Sequence, residues 1–142
     1  MMKRHFLGAT IAALSLSSPS MAEPIGVCSG GNRAARGVTC IYDGDTGWQR
    51  GVKWRLLAID APELQSAACY RERATGYRSR DRLIELMRGG YSIVFSGETD
   101  GRGKRGRQLV SILLSDGRDA GSILIQEGLA QPWPNRGNVW CE

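Results

Sequence analysis

Asp43-Gly-Asp-Thr46-Gly-Trp-Gln49-Arg-Gly51-Val-Lys-Trp-Arg55-Leu-Leu-Ala-Ile-Asp60-Ala-Pro-Glu63 describes two extended arms around one tight turn. The arms are residues 46–49 and 52–59, and Arg50-Gly51 is the turn between them. Pairing centred on that turn sets Thr46 opposite Arg55 and Asp45 opposite Leu56, which makes Asp45 and Arg55 diagonal neighbours within reach of long side chains. Pro62 cannot continue a central strand, so the chain must turn there and bring Asp60 and Glu63 back toward Asp45. The charged side chains of the segment therefore gather at one end of the hairpin.

Before the hairpin, residues 25–37 are rich in Gly, Ser and Arg and read as a loop, and residues 38–42 form a first strand. After it, residues 72–87 read as the main helix. Tyr77, Ile84 and Met87, joined by Ala74 and Leu83, recur at helical spacing, and Gly89-Gly90 is a C-terminal stop. Residues 91–95 and 109–114 read as strands separated by a Gly/Arg loop over 97–106. Residues 115–118 form a turn, and 120–126 a short helix ending at Gly128. These elements suggest a small α+β barrel with one main helix and a short second one.

Residues 1–22 have the three parts of an export signal. Lys3, Arg4 and His5 are the positive start, residues 6–16 are mostly apolar, and Ser20-Met21-Ala22 is the small, apolar, small cleavage pattern. The apolar run is too short to span a bilayer, and no later stretch approaches the roughly twenty apolar residues a span needs. The expected mature protein is one exported domain, residues 23–142, periplasmic or secreted and without stable membrane association. Its Lys and Arg number 19 − 2 = 17 against 14 Asp and Glu, a net charge of +3, and fifteen of the seventeen cations are arginine. Arginine grips phosphate through two parallel hydrogen bonds, so this balance favours an anionic ligand. Cys28, Cys40, Cys69 and Cys141 all follow the leader, an even number in an exported chain, with no CxxC pair. Of the three possible pairings we favour Cys28 with Cys40, flanking the Gly/Arg loop, and Cys69 with Cys141, tethering the C-terminal end.

The only histidine, His5, lies in the leader. A chain without it cannot use a histidine base, a Ser-His triad or a histidine-ligated zinc. Any hydrolysis falls to carboxylates, arginines and a bound cation, and a hairpin end carrying Asp45, Asp60, Glu63 and Arg55 suits a metal-assisted phosphodiester reaction.

Asp43-Gly-Asp-Thr, then Arg55-Leu-Leu-Ala-Ile-Asp-Ala-Pro-Glu63, then Gly106-Arg107 before a strand, an Asp-Gly turn and Gly128-Leu-Ala resemble the staphylococcal nuclease (thermonuclease) family in content and order, from about Val38 to Ala130. The resemblance implies an OB-type five-stranded barrel stapled here by disulfides, and calcium-dependent hydrolysis of DNA and RNA by a single domain acting as a monomer. It implies Asp45, Asp60 and the Ala61 carbonyl as Ca2+ ligands, and Glu63 as the carboxylate that handles the attacking water. Arg55 and Arg107 match the guanidinium groups that hold the scissile phosphate. Lys104 would point toward a further phosphate and Trp133 offers a stacking face for a base, while Asp43 supports the metal ligands from behind. The chain departs from the family pattern in a shorter hairpin, in Ala61 where threonine is usual, and in Arg105 where an aromatic is usual. A second class of function also fits: a catalytically inactive OB-type module that binds nucleic acid or another polyanion.

Overall fold

The computed structural model describes residues 24–101, 103 and 106–142. The leader over 1–22 and Lys104 lie outside the described residues. Along the chain run β1 (Cys40–Ile41), β2 (Thr46–Gln49), β3 (Val52–Leu56), β4 (Ile59–Asp60), α1 (Tyr70–Arg88), β5 (Tyr91–Thr99), β6 (Gln108–Leu114), α2 (Ala120–Gln126) and β7 (Gln131–Pro132). The architecture is α+β: one mixed five-stranded sheet ordered β1-β2-β3-β6-β5, a two-stranded sheet of β4 and β7, and two helices.

The hairpin has the register its turn dictates, Thr46 opposite Arg55 and Trp48 opposite Lys53. Alternation then sends Trp54 inward, where it is fully buried, and Lys53 and Arg55 to the opposite face. Gly47 sits across from Trp54, and a Cβ there would collide with the indole ring. The second arm is shorter than the sequence suggests and ends at Leu56, because Ala58 adopts a positive φ of 62° that an extended strand cannot contain. β3 then pairs in parallel with β6, and the Leu57 N–H donates to the Val110 carbonyl.

The sheet is not closed into a barrel. β1 and β5 are its two ends, and a cleft of about 800 Å3 lies along Pro24, Ile25 and Gln49 on one side and Tyr91, Ile93 and Phe95 on the other. The Tyr91 hydroxyl crosses it to donate to Gln49 Oε1 at 2.9 Å. β5 also runs four residues beyond the expected strand, through an irregularity between Phe95 and Thr99, because Thr99 rejoins β6 at Gln108.

Helix α1 starts at Tyr70, two residues earlier than expected, since Cys69 serves as the N-cap and its Sγ accepts from the Glu72 N–H. Its inward face is Glu72, Gly76, Ser79, Leu83, Ile84 and Met87, whereas Tyr77 is 45% exposed. Leu83, Ile84 and Met87 join Ile41, Trp54, Leu56, Val110, Ile112 and Leu124 in the core. Two disulfides complete the frame, Cys28–Cys40 and Cys69–Cys141, which is the pairing expected from the sequence.

Candidate active site

At the open end of the hairpin the charged side chains converge. The Arg55 guanidinium Nη2 lies 3.8 Å from Asp45 Oδ2 and 3.6 Å from Asp60 Oδ1, so one cation draws together two carboxylates that are fifteen residues apart in sequence. Arg107 immediately precedes β6 and reaches the same face: its Nη1 donates to Thr46 Oγ1 at 2.9 Å and its Nε to Asp100 Oδ2 at 2.7 Å. A cleft of about 290 Å3 is lined by Arg55, Arg107, Glu63, Asp43, Thr46 and Lys53. An adjoining cleft of about 320 Å3 shares Arg55 and Arg107 and adds Trp133. The larger cleft at the sheet ends holds no carboxylate, and chemistry rather than size marks the smaller ones.

Small residues on α1 place the carboxylate loops. A Cβ on Gly76 would stand 2.7 Å from Leu64 Cδ2 and 3.0 Å from the Pro62 and Glu63 carbonyls, and one on Gly44 would collide with Ser79 and Ala61. The helix therefore lies directly against both the Asp43–Asp45 turn and the Pro62–Glu63 turn. Asp45 joins the two, since its Oδ2 accepts from the Ala61 N–H at 2.9 Å and its Oδ1 from Thr46 Oγ1 at 2.9 Å. Glu72, 4% exposed in the first turn of α1, braces the Glu63 loop by accepting from the Glu63 N–H at 3.1 Å and the Ala68 N–H at 2.7 Å. The C-terminal segment contributes as well. Pairing of β7 with β4 sets Gln131 opposite Asp60, and Asp60 Oδ2 accepts from Gln131 Nε2 and Asn135 Nδ2 at 3.1 and 2.9 Å.

Burial, and then the negative charge of Asp45, push the Asp43 carboxyl up to about 8. Glu63 is raised too, by desolvation first and then by Asp45, Asp60 and Glu72, with the Ser66 hydroxyl opposing. Packing acids this closely favours the protonated form unless a cation joins them.

The sequence-predicted residues Asp45, Arg55, Asp60, Ala61, Glu63 and Arg107 thus lie around one another. Trp133 belongs beside them: it is 53% exposed, its N–H is anchored on the Ala58 carbonyl, and the Arg55 guanidinium stands 5.7 Å from its ring centre. Sequence reasoning missed Glu72, Asp100, Gln131 and Asn135, which hold the site residues through hydrogen bonds. Only Glu72 carries a signal, as an acid in the first turn of a helix right after the Asp-Ala-Pro-Glu turn. Among the described residues no three His, Cys, Asp or Glu side chains form a metal cage. Asp45, Asp60 and the Ala61 peptide, fixed beside Asp45 by its N–H, offer two carboxylates and a backbone carbonyl, all hard oxygen. Compared with protein families and with curated proteins, the chain matches no family profile and no curated protein.

Proposed function

We propose that the protein is an exported, calcium-dependent nuclease that hydrolyses phosphodiester bonds of DNA and RNA by attack of water. The observation that carries this reading is the convergence of Arg55, Arg107 and Glu63 on one cleft of about 290 Å3, with Asp45 and Asp60 held to the same Arg55. The resemblance to the staphylococcal nuclease family supports it, and on that reading the five-stranded sheet corresponds to an OB-type barrel. Two arginine forks can grip one phosphate and offset charge as its geometry becomes pentacovalent. Glu63, exposed and shifted upward, stands closer to the range of a base that works near neutral pH than an ordinary glutamate does. The groups that would hold Ca2+ are Asp45, Asp60 and the Ala61 carbonyl; calcium accepts such an oxygen set while keeping several waters, and when bound it supplies positive charge beside the phosphate. The two disulfides support an oxidising compartment, periplasmic or extracellular, and no helix among the described residues is long and apolar enough to cross a membrane. We take the protein to act as a monomer.

The test is incubation of the exported protein with single-stranded DNA, plasmid DNA and RNA in calcium, in magnesium and in EDTA. Both nucleic acids should be degraded in calcium, little in magnesium, whose stricter octahedral shell misplaces the reactants, and not at all in EDTA. Undiminished cleavage in EDTA would remove the metal. Binding without cleavage in any cation would assign the inactive binding module instead.

A further inference from the structure

On the face that carries Arg55 and Thr46, the next cross-strand pair outward along the hairpin is Trp48 and Lys53. Two residues along a strand advance about 6.6 Å, a step of the same order as one nucleotide of an extended strand. The pair lines its own cleft of about 360 Å3, whose walls include Ala34, Val52 and Gln108. Lys53 lines both this cleft and the one containing Glu63, so the two lie on either side of its side chain. The Trp133 cleft shares Arg55 and Arg107 with the Glu63 cleft, so the three clefts are linked in series by shared side chains, with the arginines bordering the middle one.

The chemistry of the outer cleft is that of a single-stranded nucleic-acid site, an aromatic face beside a free cation. Lys53 is exposed and makes no ion pair among the described residues; its Nζ rests 5.8 Å from the centre of the Trp48 ring. Arg80, Arg82, Arg107 and Arg118, by contrast, each have a carboxylate partner.

We infer that Trp48 and Lys53 form a second nucleotide subsite, so that the protein engages a polynucleotide on both sides of the scissile phosphate: one base at Trp133, the next nucleotide stacked on Trp48 with its phosphate at Lys53. This rests on the nuclease reading and extends it from a phosphodiester to a strand, which makes internal bonds the preferred substrate. A cross-strand Trp–Lys pair with a purely structural role would touch stability and nothing else.

The experiment compares the parent, Trp48→Leu and Lys53→Gln on two substrates in saturating calcium, a single-stranded DNA decamer and thymidine 5′-(p-nitrophenyl phosphate), which has no second nucleotide. For each variant kcat/KM on the decamer should fall about 5- to 100-fold, the range for losing one stacked base or one phosphate contact, while Trp48→Leu, whose side chain lies outside the catalytic cleft, turns over the nitrophenyl ester within about twofold of the parent. In parallel, fluorescence anisotropy of a labelled decamer across salt concentrations should show weaker binding for both variants. The slope of log affinity against log salt should flatten by about 0.7 for Lys53→Gln alone. Equal losses on both substrates for Trp48→Leu, or unchanged decamer binding for either variant, would overturn the subsite. If the parent cleaves neither substrate, the nuclease reading fails, and the anisotropy series still decides whether Trp48 and Lys53 hold a strand.

Discussion

On the proposed nuclease reading Arg107 and Arg55 both meet a phosphate, but they are held differently. Two short hydrogen bonds, to Asp100 and Thr46, fix the Arg107 fork before any ligand arrives, and three of its five N–H groups remain. The polar contacts of Arg55 to Asp45, Asp60 and the Ile59 carbonyl are longer, 3.5 to 3.8 Å, so its guanidinium retains freedom to reorient. A donor fixed in advance costs no reorganisation as charge develops, and removing one costs about 10² or more in turnover. Arg107→Ala should therefore lower single-turnover cleavage in saturating calcium by that factor, and Arg107→Lys should not restore it, since a lysine cannot hold Asp100 and Thr46 while reaching a phosphate. Glu63→Gln should keep the affinity for a nucleotide bisphosphate, measured by calorimetry, and lose turnover, because the amide keeps the shape but takes no proton. A bland surface role would leave Arg107→Ala cleaving at nearly the parental rate with only a salt-dependent loss of affinity. That result would take Arg107 out of the site.

Between elements, the contact that sets the site is α1 against two turns, and Gly76 makes it possible. In an exposed helix Gly→Ala gains about 1 kcal/mol from propensity. At position 76 the added Cβ meets two carbonyl oxygens at 3.0 Å and Leu64 at 2.7 Å, and backbone cannot give way as a side-chain tip can. Overpacking of that kind costs about 1–3 kcal/mol, so the net effect of Gly76→Ala should be loss of stability in urea unfolding together with slower turnover, as Glu63 is pushed outward. A stabilised, fully active variant would show that the loop yields freely. The helices are also joined at the surface, where Arg82 grips Glu127 in a fork at 2.8–3.2 Å and holds that carboxyl below the usual glutamate value of 4.5. Because the folded value is depressed, the pair contributes above the unfolded pKa and its contribution fades as pH falls through the folded one. Glu127→Gln should cost under about 1 kcal/mol at neutral pH, and the cost should shrink as the pH is lowered through the folded value, measured by urea unfolding across an acid titration. The hairpin register and the short helix are legible in the sequence because periodicity and turn chemistry agree there. The parallel β3–β6 ladder and the two-residue β4 and β7 are not, since strands so short carry no period and Ala58 at positive φ carries no glycine to announce it. Among site residues, those with their own chemistry stand out, whereas Asp100, Gln131 and Asn135 act only through partners that folding supplies.

For the molecule as a whole, the two disulfides differ in what they close. Cys28–Cys40 spans 12 residues, and Cys69–Cys141 spans 72 and ties the end of the chain to the start of α1. By loop-closure entropy they contribute about 3 and about 4 kcal/mol. The longer bridge also reaches the site. The segment it tethers supplies Asn135 to Asp60, and Asn138 Nδ2 donates to Glu72 Oε2 at 2.8 Å, so the tail touches one proposed calcium ligand and the brace of the Glu63 loop. Replacing both cysteines of a bridge by serine separates these effects, because serine at position 69 is itself a good N-cap and preserves the start of α1. Cys28→Ser with Cys40→Ser should lower unfolding free energy and leave the calcium concentration for half-maximal cleavage unchanged. Cys69→Ser with Cys141→Ser should lower stability by a comparable or greater amount and also raise that calcium requirement, since the hydrogen bonds orienting Asp60 then compete with a free tail. Urea unfolding and a calcium titration of cleavage at a temperature where both variants are folded provide the comparison. Identical calcium curves for the two variants would mean that the tail serves stability alone and that Asp60 is oriented by the β4–β7 pairing without help from the bridge.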